Sequence, residues 1–62
     1  MIDKFIPGKL YVACHPEQLR ILVLECLETK STVDGLASKC VTLTPTGNRV
    51  VKRLWHEDWD EL

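Results

Sequence analysis

Four short runs rich in apolar residues lie along this chain, each bounded by residues that favour turns. In Lys9 to Cys14, Leu10 and Val12 alternate with Tyr11 and Ala13. Side chains that switch sides at every residue belong to a strand. Leu19 to Leu27 is apolar at seven of nine positions, which predicts a central strand covered on both faces. Leu36 to Thr44 contains Cys40-Val41-Thr42-Leu43-Thr44, rich in β-branched residues, and Val50 to Trp55 leads into the end of the chain. The turn signals are Pro7-Gly8, His15-Pro16-Glu17, Lys30 to Gly35, and Thr44-Pro45-Thr46-Gly47-Asn48. Strands repeating every roughly 8–12 residues between such turns predict a small all-β barrel or sandwich.

Two segments also satisfy a helical reading. Pro16-Glu17-Gln18 makes a good first helical turn, after which Leu19, Leu22, Val23, Cys26 and Leu27 keep helical spacing. On a wheel from 48 to 62, Val51, Leu54, Trp55, Trp59 and Leu62 share one sector, with Arg49, Lys52, Arg53, His56 and Asp60 opposite. Such a helix would carry its bases first and its acids last. That order opposes the helix dipole at a cost of about 0.3–1 kcal/mol per charge.

Phe5-Ile6-Pro7-Gly8-Lys9-Leu10-Tyr11 resembles the opening of small Src-homology-3-like barrels, many of them short phage or bacterial proteins, in which such a pair launches the first strand. Arg20-Ile21-Leu22-Val23-Leu24, the turn region Asp34-Gly35-Leu36, and the closing Trp55, Trp59 and Leu62 are similar to later parts of those barrels. The resemblance implies a barrel of about five short strands and says almost nothing about activity. A second resemblance is to winged-helix regulators, an α+β fold. It is carried by Pro16 to Leu22, by Thr32-Val33-Asp34-Gly35-Leu36-Ala37, and by Leu43 to Gly47 followed by Arg49-Val50-Val51. Between Ala37 and Leu43 there is no room for the helix that would enter a DNA groove. The barrel is therefore the preferred reading.

The chain of 62 residues allows a single domain, 1–62, with a small core and little room for a deep substrate pocket. A hydrophobic fraction of 45% with 27% charged residues is that of a globular chain, not a disordered one. The longest apolar run, Ile21-Leu22-Val23-Leu24, is too short to span a membrane. No charged-then-apolar leader opens the chain, so it reads as an unprocessed cytoplasmic protein. Three cysteines, at 14, 26 and 40, are an odd number and read as reduced thiols in place of a disulfide framework.

Charge then singles out the C-terminus. Residues 1–55 carry eight basic side chains against five acidic ones, while His56 to Leu62 carry four acids and no Lys or Arg. Glu57, Asp58, Asp60 and Glu61, with Trp55 and Trp59 at the border, point to an acidic, aromatic surface for a basic protein partner. The plainer reading makes both tryptophans lids on the core. Arg49, Lys52 and Arg53 form a basic cluster suited to phosphates, but three charges are a small footprint beside four acids. Cys14, His15, Cys26, Cys40 and His56 lack the close pairs of a zinc knuckle, so no metal or other cofactor is expected. Cys14 and His15 are adjacent and would face opposite sides of a strand, and no glycine-rich phosphate loop occurs. The expectation is a non-enzymatic protein-binding module, an adaptor or inhibitor for a larger protein, with no small-molecule substrate. The alternative is a winged-helix-like regulator that binds nucleic acid through Arg49, Lys52 and Arg53.

Overall fold

Local alternation and turn chemistry combine into one antiparallel sheet. The computed structural model describes residues 1–15 and 20–62. Its strands are β1 (Leu10–Ala13), β2 (Ile21–Thr32), β3 (Gly35–Leu43), β4 (Arg49–Trp55) and β5 (Trp59–Glu61), in the order β4-β3-β2-β1-β5. A single 3-10 turn, His56–Asp58, separates β4 from β5. The fold is all-β and consistent with a small β-barrel, as expected, and it excludes the winged helix. Among the described residues there is no α-helix. The stretch 48–62, helical on a wheel, is spent on β4, the 3-10 turn and β5. Thr32 to Ala37 is a hairpin. The hydrogen bonds of β4 to β3 satisfy its backbone without setting bases and acids against a helix dipole. Pro16 to Leu19, the site of the other helical reading and of the turn at His15-Pro16-Glu17, lies outside the described residues.

The Pro7-Gly8 pair forms the expected turn. Lys9 N–H donates to Ile6 O at 3.2 Å, and Gly8 holds φ at +80°. A proline followed by a residue with positive φ is the pattern of a type II turn, which only glycine enters without strain. The turn places Gly8 N–H on Val23 O at 2.7 Å and Lys9 O on Val23 N–H at 3.1 Å, so it also docks the strand launch onto β2. At the β2–β3 hairpin, Thr32 Oγ1 donates to Gly35 O (2.8 Å) and accepts from Asp34 N–H (3.2 Å). The turn is tighter than Lys30 to Gly35, because Lys30, Ser31 and Thr32 continue β2.

β2 lies in the middle of the sheet, as its apolar run predicts, but it is not covered on both faces. Val23 is fully buried, Leu22 and Leu24 are half-buried, and Leu27 is exposed. Register shifts between Val23 and Glu25 and between Cys26 and Glu28 interrupt its alternation. Such bulges bend and twist a strand, and here β2 pairs with β1 at its start and runs on beside β3. The core is Phe5, Tyr11, Ala13, Val23, Cys40, Leu54 and Trp59. Phe5 is its hub, meeting Tyr11, His56 and Trp59 edge-on at centroid distances of 4.9, 5.2 and 6.4 Å. Tyr11 keeps its buried hydroxyl satisfied by accepting from Ile6 N–H at 2.7 Å.

Candidate interaction surface

The acidic end folds as a turn and a short strand, and alternation then sorts its side chains. In β5, Trp59 lies opposite Ala13 and faces inward, only 5% exposed, whereas Asp60 lies opposite Val12 and faces out. Trp59 is a core lid and is not available as an anchor on the folded chain. Trp55, the last residue of β4, is half-buried opposite Ala37. Glu57, Asp60 and Glu61 are exposed and Asp58 is half-buried, so the acids do share the turn-β5 side of the molecule. Asp60 is partly committed. It pairs with the amine of Met1 and accepts from Cys14 Sγ at 3.3 Å. The hydrogen bond from the amine, then that from Cys14, holds the Asp60 carboxyl below its usual range. The same contacts with Asp60 raise the amine and the Cys14 thiol.

The basic cluster does not survive as a single patch. Cross-strand partners share a face, and Arg49, Lys52 and Arg53 lie opposite Leu43, Cys40 and Lys39. Cys40 is fully buried, so Lys52 stands in a core-facing row and lines an open cavity of about 360 Å³ together with Arg20, Ile21 and Thr42. Arg49 and Arg53 stand on the opposite face. There Glu28 Oε1 takes Arg53 Nη2 at 3.3 Å and Lys30 Nζ at 3.7 Å. The concentrated footprint that phosphate binding needs is therefore divided and partly neutralised.

What the sequence does not reveal is a row of leucines on the outer face. Leu10 pairs with Leu22 and Leu22 with Leu43, while Leu62 N–H donates to Leu10 O at 3.1 Å. Because Tyr11, Val23 and Thr42 point inward, their neighbours Leu10, Leu22 and Leu43 point outward together. The row Leu62-Leu10-Leu22-Leu43 thus runs from the residue that follows β5 across β1, β2 and β3, with Leu62 58% and Leu10 44% exposed and Leu22 and Leu43 half-buried. Asp60, outward like Leu62, flanks it at one end and Arg49, opposite Leu43, at the other, whereas Glu61 lies opposite inward-facing Tyr11 and belongs to the other face. Contiguous apolar surface rimmed by charge is the usual appearance of a protein contact site. These four leucines have no common spacing in the chain. Only the strand register aligns them.

A second feature that sequence reasoning missed is polar and buried. Thr29 Oγ1 and Ser38 Oγ share a hydrogen bond of 2.7 Å, and Ser38 Oγ bonds His56 Nε2 at 2.6 Å. Ser38 is wholly inaccessible and His56 almost so, which keeps this oxygen from any substrate in solvent. The chain of bonds ties the 3-10 turn to β3 and so fixes the segment that carries the acids. His56 Nδ1 has no partner among the described residues. The three thiols are free: Cys14 exposed, Cys26 half-buried, Cys40 buried. Among the described residues no three His, Cys, Asp or Glu side chains are grouped to hold a metal ion, and no helix is long and apolar enough to cross a membrane. Comparison with protein-family models, with curated proteins and with solved structures finds no match, so the surface is interpreted from its own chemistry.

Proposed function

We propose that this protein is a small binding module, an adaptor or inhibitor, that docks a protein partner on the outer leucine row beside its acidic turn and β5. The single observation that carries this reading is the exposed row Leu62-Leu10-Leu22-Leu43 with Asp60 at its edge. The partner segment it fits is apolar with flanking Lys or Arg. Leucines supply the buried contact area and so govern dissociation, while Glu57 and Glu61 act at longer range and govern association. The tryptophans have a smaller part than the sequence alone suggests. Trp59 supports the surface from beneath, and Trp55 lies in a different row.

The test is affinity capture from lysate followed by binding kinetics with the captured protein, using the parent and three variants. Leu10→Ser with Leu62→Ser is expected to raise the off-rate at least about tenfold. Glu57→Gln with Glu61→Gln is expected to slow association and flatten its salt dependence. Val33→Ser, at the far tip of the β2–β3 hairpin, is the control and should bind like the parent. A partner that binds all four proteins alike places the interface elsewhere. Retention on heparin at low salt, with a steep salt dependence, would instead favour a nucleic-acid partner.

A further inference from the structure

Three cysteines are an odd number, yet the fold brings two of them together. Cys26 on β2 lies directly opposite Cys40 on β3, and Cys26 packs against the core cluster that contains Cys40. Directly opposed residues of an antiparallel pair have Cα atoms about 4.5 or 5.5 Å apart and side chains on the same face. Both spacings fall within the roughly 4.4–6.8 Å that a disulfide requires. The register shift between Cys26 and Glu28 supplies local freedom for the last adjustment. Cys14, exposed and bonded to Asp60, stands apart on the β5 side. As small hydrophobes, two thiols would fill this space equally well from staggered positions; direct opposition is what disulfide formation needs.

We propose that Cys26 and Cys40 form a two-electron redox site, a dithiol that hydrogen peroxide converts into a cross-strand disulfide. This inference is independent of the docking surface. Of the pair, half-buried Cys26 is the thiol that an oxidant reaches first. Burial, and then the neighbouring Cys26 thiol, push Cys40 up to about 12, which disfavours it for the first attack; in the second step its place directly opposite Cys26 brings it to the sulfenic sulfur. In the first step the Cys26 sulfur attacks the peroxide O–O bond, giving a sulfenic acid and one water. In the second, the Cys40 sulfur displaces the sulfenic hydroxyl, which leaves as water with the Cys40 proton. Two thiols are oxidised, one peroxide is reduced, and two waters form. The bond joins β2 to β3 and closes the chain between them into a loop, which restricts the unfolded state.

The experiment treats the folded, reduced protein with hydrogen peroxide and follows thiol count, intact mass, peptide map and thermal melt. Expected are a fall from three titratable thiols to one, a mass lower by two hydrogens, and a single cross-linked peptide joining Cys26 to Cys40. The product should stay monomeric, and its Tm should rise by about 10 °C. Cys14→Ser should form the same bridge with the same rise in Tm, its titratable thiols falling from two to none. Cys40→Val conserves volume in the core, and in that variant Cys26 should gain oxygen or stay reduced without forming an intramolecular bridge. Cys26→Ser, at a half-buried position, gives the complementary loss if the Cys40 variant does not fold. The proposal is overturned if the native thiols survive until the protein is unfolded. It is also overturned if the bridge contains Cys14, or if the parent's Cys26 gains oxygen while Cys40 remains a free thiol.

Discussion

The two ends of the β2–β3 ladder are both antiparallel and differ chiefly in burial. At one end Val23–Thr42 and Cys26–Cys40 are flanked by further strands and include fully buried side chains. At the other, β4 reaches no further than Trp55 opposite Ala37. Ser31–Leu36 and Thr32–Gly35 therefore form a two-stranded arm whose tip, Val33, is fully exposed. The packed end carries both register shifts of the ladder, so its advantage over the arm is burial and not better pairing. A two-stranded ribbon is marginal in water by itself. The arm is held by its turn and by its attachment to the packed end, and should open first.

The largest expected effect comes from removing the packed end's support. Trp59→Ala should cost about 3–5 kcal/mol, enough to unfold most of a domain this small, and urea melts will show whether it does. An intact fold would mean that Phe5 and Tyr11 hold the core without it. Next comes pH. The folded Cys40 thiol is raised to about 12 from an ordinary 9.0. Its contribution to stability is therefore complete below pH 9 and is lost as pH rises toward 12. Stability should fall by at most about 1.4 kcal/mol per pH unit across that window. Melts of Cys40→Val over the same range should lack this component, and equal slopes would show that Cys40 is not its source.

Ser38→Ala removes the bond to buried His56 Nε2 and should cost about 1–3 kcal/mol, read by the same melts. An effect near zero would mean that water or a shifted ring satisfies His56. The smallest change is expected at the arm. Val33→Ser should alter stability by less than about 0.5 kcal/mol. Hydrogen exchange sharpens the comparison further, with protection high at Val23 and Thr42 and lower from Ser31 to Leu36. Uniform protection along β2 and β3 would show that the arm is not a separate, weaker unit.

Much of the fold was legible because strands and turns are local. The alternation around Leu10, the Pro7-Gly8 turn and the Thr44 to Asn48 loop each depend on neighbouring residues, and each lies where the pattern places it. The expectation for β2 failed on one point. Seven apolar residues in nine imply cover on both faces, but two bulges and a single thin sheet leave Leu27 exposed and Leu22 and Leu24 only half-buried. The candidate surface was legible in its charge and not in its apolar part. Four acids in a short segment are visible directly. The burial of Trp59 follows from its register opposite Ala13, which no count of aromatics contains.

By itself, then, the sequence determined the class of fold, the positions of the turns and the acidic character of the final segment. All three follow from residue type and near-neighbour spacing. Tertiary structure alone decided which residues share a face. It aligned Leu62, Leu10, Leu22 and Leu43, separated Lys52 from Arg49 and Arg53, joined Ser38 to His56, and set Cys26 against Cys40. The reason is the two-residue period of a strand. A register shift of one residue turns every side chain to the other face, and register is fixed by long-range pairing and by bulges that leave no local mark.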